Sequence, residues 1–277
     1  MSNWTRRHPR VSQVMAAAVV IADAGIGAAR LQPATIDGWN GYVMAIEAAR
    51  AQQTPDAARF LALDFTNSPV AAPAADRAAV LAGDVVTRHV NDRDAGLPDV
   101  PSATVSHWRG AVFIPGTSLD RLIHGLRTAP PPPGRGDVVR SAILENGPEA
   151  MVVAIRVRRS KIVTVVYDTE HRVTFSRSSA RRAESASTAT RIVEVVNAGT
   201  AAETPRPPGD DRGYLWRLNA YWRYEEVRGG VIAECDSISL SRHVPAPVRY
   251  LAGSIIEGAA REAMDQTLVT LRDRFAQ

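Results

Sequence analysis

Tyr214-Leu-Trp-Arg-Leu-Asn-Ala-Tyr-Trp-Arg-Tyr224 is the stretch whose reading decides the fold. It alternates as a strand does: Trp216, Leu218, Ala220, Trp222 and Tyr224 fall on one face. Arg217, Asn219, Tyr221 and Arg223 fall on the other. Arg228-Gly229-Gly230 reads as a tight turn, since glycine takes a positive φ without steric cost. Val231 to Ser241 then returns as a second strand. A two-residue loop at Arg228 and Gly229 sets Arg223 opposite Glu234, Tyr221 opposite Asp236 and Trp222 opposite Cys235. That register places opposite charges across from each other.

After the hairpin comes a single helix, beginning near Pro247 and running to Phe275. Its apolar positions, among them Val248, Leu251, Ile255, Met264, Leu268, Leu271 and Phe275, recur at three and four residues and form one stripe. About 29 residues at 1.5 Å rise span roughly 43 Å, enough to cross a small domain. Such a stripe needs a floor, and the antiparallel strands before it supply one.

Upstream, Trp108 to Ile114 reads as a strand stopped at Pro115-Gly116. Thr117 or Ser118 caps a short helix holding Leu119, Leu122, Ile123 and Leu126. Ala129 to Gly136 is a proline and glycine loop. Strands are then predicted over 138–145, 150–158, 161–167, 171–176 and 184–196, with turns at Asn146-Gly147-Pro148 and Arg159-Ser160. Residues 197–212 form a loop before the hairpin. Short connections imply antiparallel neighbours. The fold class is therefore α+β: a curved antiparallel sheet wrapped around a long C-terminal helix.

The first hundred residues are organised differently. Residues 1–29 carry Arg6, Arg7 and Arg10 before an apolar run and end in Gly27-Ala28-Ala29. This is the pattern of an export signal, with Asp23 as its flaw, and it predicts a periplasmic or extracellular protein; a cytoplasmic helix is the alternative. Residues 30–103 read as an N-terminal extension with a helix over 35–53, capped by Thr35 or Asp37, a short apolar patch at Phe60 to Phe65 that reads as a strand, and one strand within 81–90. The main domain is assigned to 104–277.

Composition excludes several functions. The 277 residues have a net charge of +4, with 33 Lys and Arg against 29 Asp and Glu. Lys161 is the sole lysine, and the arginines are spread rather than blocked, so nucleic acid is not an expected partner. Cys235 is alone, which rules out an internal disulfide and a cysteine zinc cluster. No cofactor fingerprint, Walker loop or metal-binding motif is present. No stretch is long and apolar enough to span a membrane.

The strand ending at Ile114-Pro115, the helix Ser118-Leu-Asp-Arg-Leu-Ile-His-Gly-Leu126, the strands from Val138 to Leu240 and the C-terminal helix together resemble the helix-grip superfamily. This superfamily comprises START domains, Bet v 1-like proteins and the polyketide cyclase/dehydrase (SRPBCC) group. The words His107-Trp-Arg-Gly-Ala-Val-Phe-Ile-Pro-Gly116 and Trp216-Arg-Leu-Asn-Ala-Tyr-Trp-Arg223 are similar to those of a group of exported bacterial proteins. The resemblance covers 104–277. It implies a cavity between sheet and helix that binds or carries a hydrophobic or amphipathic, lipid-like small molecule. The proline loop at 129–136 departs from it.

On this reading Arg217, Asn219, Tyr221, Arg223, Glu234 and Asp236 line the cavity and orient a polar head group. The alternative is a solvated outer face, with the tryptophan row turned to the long helix. His171, with Asp168 or Glu170 to orient it, is the one candidate for acid–base catalysis in a cyclase- or hydrolase-like enzyme. A non-catalytic interaction module at the cell envelope is the third reading. The carrier is favoured, with no cofactor and no metal; the oligomeric state is open.

Overall fold

The final hairpin forms with the expected register. In the computed structural model, strands Arg217–Val227 and Gly230–Arg242 pair with Arg223 opposite Glu234, Tyr221 opposite Asp236 and Trp222 opposite Cys235. Gly229 takes a φ of +87° in the two-residue turn, where a side chain would be strained. The structure describes residues 30–53, 59–65, 74–91, 95–160, 164–207, 209–243 and 246–277, with side chains in the last helix described from residue 258. The predicted export signal lies outside the described residues.

In chain order the elements are α1 (Pro33–Gln52), a 3-10 turn (Ala62–Asp64), α2 (Ala74–Leu81), β1 (Val86–His89), β2 (Ala103–Pro115) and α3 (Leu119–Thr128). They continue with β3 (Val138–Asn146), β4 (Ala150–Ser160), β5 (Thr164–Ser179), β6 (Arg182–Val196), β7 (Thr204–Pro205), β8 (Arg217–Val227), β9 (Gly230–Arg242) and α4 (Ala246–Phe275). One antiparallel sheet runs in the order β1-β2-β9-β8-β6-β5-β4-β3, with β7 paired to β6. This is the α+β helix-grip arrangement, sheet and long C-terminal helix.

Three local expectations are corrected. The strands expected at 161–167 and 171–176 are one strand, β5. The charged residues between them do not turn the chain, because each has a cross-strand partner: Asp168 bonds Arg156, and Glu170 pairs with Arg191. Phe60 to Phe65 is not a strand but a 3-10 turn, closed by Asp64, whose carboxylate accepts the Phe60 and Leu61 N–H groups at 2.8 Å. Helix α1 starts at Pro33 with no side-chain cap, proline at its first turn replacing the expected Thr35 or Asp37.

Each face of the sheet buries its own layer. On one, Met264, Leu268, Leu271 and Phe275 of α4 pack with Leu119 and Leu122 of α3. Their floor is Trp108, Val112, Ile114, Tyr224, Ala233 and Cys235, with Ala220 and Trp222 at the margin. Gly110 lets the helix come this close: a Cβ there would lie 2.5 Å from Leu268 Cδ1 and 3.0 Å from Met264 Cγ. On the other face, Trp39, Tyr42 and Ile46 of α1 pack on Trp216, Tyr221, Ile238 and Leu240. Phe60, Leu61 and Leu63 cover Ala111 and Ile232 beside them. The stretch from 30 to 103 thus contributes one strand to the sheet and the cover of its second face.

Candidate functional site

The six residues expected to line the cavity lie on the α1 face. This is a correction: they face away from the long helix, not toward it. Alternation leaves no choice once Trp222 and Tyr224 pack toward α4, because their neighbours Tyr221 and Arg223 must then point the other way. Trp216 leaves its expected row. It precedes the strand, its indole donates to Asp211 at 3.1 Å, and it joins the cluster under α1.

Five of them, Asn219, Tyr221, Arg223, Glu234 and Asp236, are nevertheless buried, as part of a charged layer between sheet and N-terminal segment, and Arg217 is half-buried at its margin. Asp236 is 1% exposed and accepts from Arg50 at 2.8 Å and from Arg109 Nη2 at 2.6 Å, with His107 Nε2 at 3.4 Å. Burial alone would raise its pKa. Arg109, the His107 contact and Arg50 outweigh that and hold the carboxyl below the ordinary range. Glu234 and Arg223 are cross-strand neighbours, yet each bonds elsewhere. The Glu234 carboxylate accepts the N–H of Ala62 at 2.9 Å and of Leu63 at 3.1 Å, and burial pushes its pKa up. Arg223 donates to Glu184, Gln53 and the carbonyls of Phe60 and Arg50 at 2.7–3.0 Å. Tyr221 donates to Glu47 at 2.8 Å and accepts from Asn219 Nδ2 at 3.0 Å. Arg217 donates to the Trp216 carbonyl at 3.0 Å. The arrangement holds the N-terminal segment against the sheet.

The helix-facing wall can be followed through the register. Ser185 lies opposite Trp222 and Ser187 opposite Ala220. Phe175 and Val173 lie opposite those serines, and alternation along β5 continues the row through His171, Thr169, Tyr167 and Val165. On β4, Met151, Val153, Ile155 and Val157 lie opposite that row. The wall is therefore apolar on β4, with a polar row set into it on β5 and β6. Among the described residues, the cluster packed under α4 takes nothing from β3, β4 or β5.

His171 sits in this row, 7% exposed. Asp168 and Glu170 alternate to the opposite face, engaged by Arg156 at 2.6–2.7 Å and by Arg191 at 3.2 Å. The expected pairing of either carboxylate with His171 is thereby overturned. Its actual partners are hydroxyls. Thr169 Oγ1 donates to the Ile155 carbonyl at 3.0 Å, so it accepts from His171 Nε2–H at 2.9 Å. That assigns the proton to Nε2 and leaves Nδ1 an acceptor, with Ser187 Oγ 3.5 Å away. Burial pushes the imidazole down to about 4, so it is neutral at physiological pH. Tyr167 Oη, in the same row, is buried and has no hydrogen-bond partner among the described residues. Tyr224 and Ser185 satisfy each other at 3.0 Å. Cys235 is buried, and its thiol is pushed up by that burial, which makes it a packing residue and not a nucleophile.

Sequence reasoning missed Arg50, Arg109 and Tyr42 of the charged layer and the Tyr167–Thr169–His171 row. Arg109 was within reach: pairing β2 with β9 sets it opposite Asp236. The β5 row is hidden by the break between the strands expected at 161–167 and 171–176.

No family model matches the chain, and no curated protein matches it. Solved structures to which it is similar include a STAR-related lipid transfer protein from Xanthomonas axonopodis. That likeness has 16% identity, a TM-score of 0.45, and covers 69% of this chain and 92% of that one. A second is the human StarD13 lipid transfer and protein localization domain, at 12% identity, TM-score 0.41, 67% and 84%. A third is the Zhui aromatase/cyclase from Streptomyces sp. R1128, at 12% identity, TM-score 0.37, 62% and 93%. At such identities and scores these likenesses assign no function to the chain.

Proposed function

We propose that the protein binds a hydrophobic or amphipathic small molecule between the α4-facing wall of β4 to β6 and the C-terminal helix. One observation carries this reading. The wall presents Val153, Ile155, Val157, Val173 and Phe175 on the side facing α4, yet among the described residues it contributes nothing from β4 or β5 to the cluster packed there. Apolar surface of that kind favours an apolar occupant. The orienting groups are the hydroxyls and the imidazole of the β5–β6 row, in place of the charged residues expected on the opposite face. Acid–base catalysis by His171 is disfavoured, since among the described residues no carboxylate orients it and its Nε2–H is committed to Thr169.

The same reading has the chain exported, with residues 1–29 removed. Native mass spectrometry of protein purified from its own host tests both points. The expected spectrum shows a chain beginning near residue 30 with a bound small molecule released on activation. A chain retaining Met1 overturns export. A chain that carries no molecule and fails to enhance the fluorescence of the neutral dye N-phenyl-1-naphthylamine overturns ligand binding.

A further inference from the structure

The α4-facing wall carries hydrogen-bonding groups but no charge through its middle. Charged side chains appear only toward its ends. At one, Glu194 is held by Arg212 at 2.5 Å and Arg206 at 3.4 Å, and Arg159 by Asp137 at 2.8 Å. At the other, Arg177 is paired with Asp120 at 2.5 Å, and Arg127 donates to the Gly147 carbonyl at 2.9 Å. Between them the described polar side chains are Thr169, His171, Ser185 and Ser187.

Two of these groups are poorly engaged with each other. His171 Nδ1 is an acceptor, because the Thr169 bond fixes the proton on Nε2. Ser187 Oγ stands 3.5 Å from it, at the outer limit of a hydrogen bond. Together they offer one acceptor and one rotatable donor on the same wall. Further along the row, Tyr167, 6% exposed, holds its Oη buried and, among the described residues, without a hydrogen-bond partner, a second polar group left over on this wall.

We propose that His171 Nδ1 and Ser187 Oγ form the polar subsite for an uncharged, hydroxyl-bearing hydrophobic ligand, an alcohol and not a fatty acid or a phosphate ester. This rests on the ligand-binding reading of the same wall. An alcohol O–H donates to Nδ1 while its oxygen accepts from Ser187. A carboxylate or phosphate only accepts, so it sets its charge against the lone pair of Nδ1. The arginines nearest that middle are engaged, Arg177 by Asp120 and Arg127 and Arg274 by backbone carbonyls, so a charged head group would have to break those bonds to be answered, and burying an unpaired charge is strongly unfavourable. A site built to bond a hydroxyl also discriminates more sharply than an apolar one, because a ligand lacking it leaves buried groups unpaired.

The test uses the full chain loaded with N-phenyl-1-naphthylamine and displaced by tetradecanol or by tetradecanoate at pH 7.5. Tetradecanol is expected to displace the dye at roughly tenfold lower concentration, the effect of one good buried hydrogen bond. His171→Phe keeps the bulk and removes the acceptor, and should bring that ratio close to one. Ser187→Ala should reduce it several-fold. The ratio of the two competitors is read within each variant, so changes in dye affinity cancel. Equal displacement in the unmodified chain overturns this inference and leaves hydrophobic binding standing. So does a preference that survives both substitutions. Failure of the dye to bind overturns the ligand-binding reading and this inference with it. Where His171→Phe does not fold, Ser187→Ala, the loss of one hydroxyl, decides alone.

Discussion

Arg223 is 2% exposed and gives hydrogen bonds to one carboxylate, one amide oxygen and two backbone carbonyls. Removing a buried cation with that many acceptors takes a donor from all four at once. Arg223→Ala is expected to cost about 3–5 kcal/mol in thermal or denaturant unfolding. A loss under about 1 kcal/mol would contradict the buried layer. Dye binding by the folded fraction should be unchanged, since Arg223 faces α1 and not α4. The register that makes Arg223 and Glu234 neighbours is legible in the hairpin alone. Their partners are not, because the groups that claim them come from residues 50–63, far earlier in the chain. His171 yields the second expectation at this scale. Its pKa is pushed from about 6.5 in the unfolded chain to about 4 in the folded one. The unfolded state binds more protons between those values, so stability falls as pH drops from 6.5 to 4, by about 3 kcal/mol from this group. His171→Asn should flatten the slope of stability against pH over that window. A variant whose slope matches the parent's would show that the imidazole is not buried as described.

Among the elements, α4 depends on how closely it approaches β2. Gly110 has no Cβ to hold Leu268 and Met264 away. Gly110→Val should move the helix off its floor and lower stability by about 1–3 kcal/mol, the usual effect of overpacking. A melting temperature within error of the parent's would mean that the helix does not seat there. The hairpin, the capped helix α3 and α4 were legible because each is a local pattern: alternation, a Ser118 cap, a stripe at three and four. The β5 strand was split in the sequence reading for a physical reason. Tyr167-Asp-Thr-Glu-His171 looks like a solvated turn unless Arg156 and Arg191 are known to lie beside it. Which face of a strand meets the long helix is likewise not a local property. Both rows of β8 suit a buried side here, since one meets an apolar helix and the other a charged layer.

For the molecule as a whole, the consequence is that the sheet has two covers. The boundary at residue 104 is one of composition. Structurally, β1 pairs with β2, and α1 buries Ile238, Leu240 and the Asp236 cluster. We expect a chain beginning at residue 104 to lose cooperative unfolding, because Asp236 and Glu234 would be left on an uncovered apolar surface without Arg50 and the Ala62 and Leu63 amides. A shortened chain that melts cooperatively near the parent's temperature would make residues 30–103 an appendage instead. The sheet order also has a consequence in time. Strand β2 leaves the ribosome early, yet its long partner is β9, the last strand to be made. Thirteen residues of open edge, rich in Val, Phe and Ile, must therefore wait for nearly the whole chain. Closing that pair requires a long loop to be ordered first, which makes folding slow and the waiting strand prone to aggregation. The step most open to help from a chaperone is thus the arrival of β9 beside β2, before either cover can close.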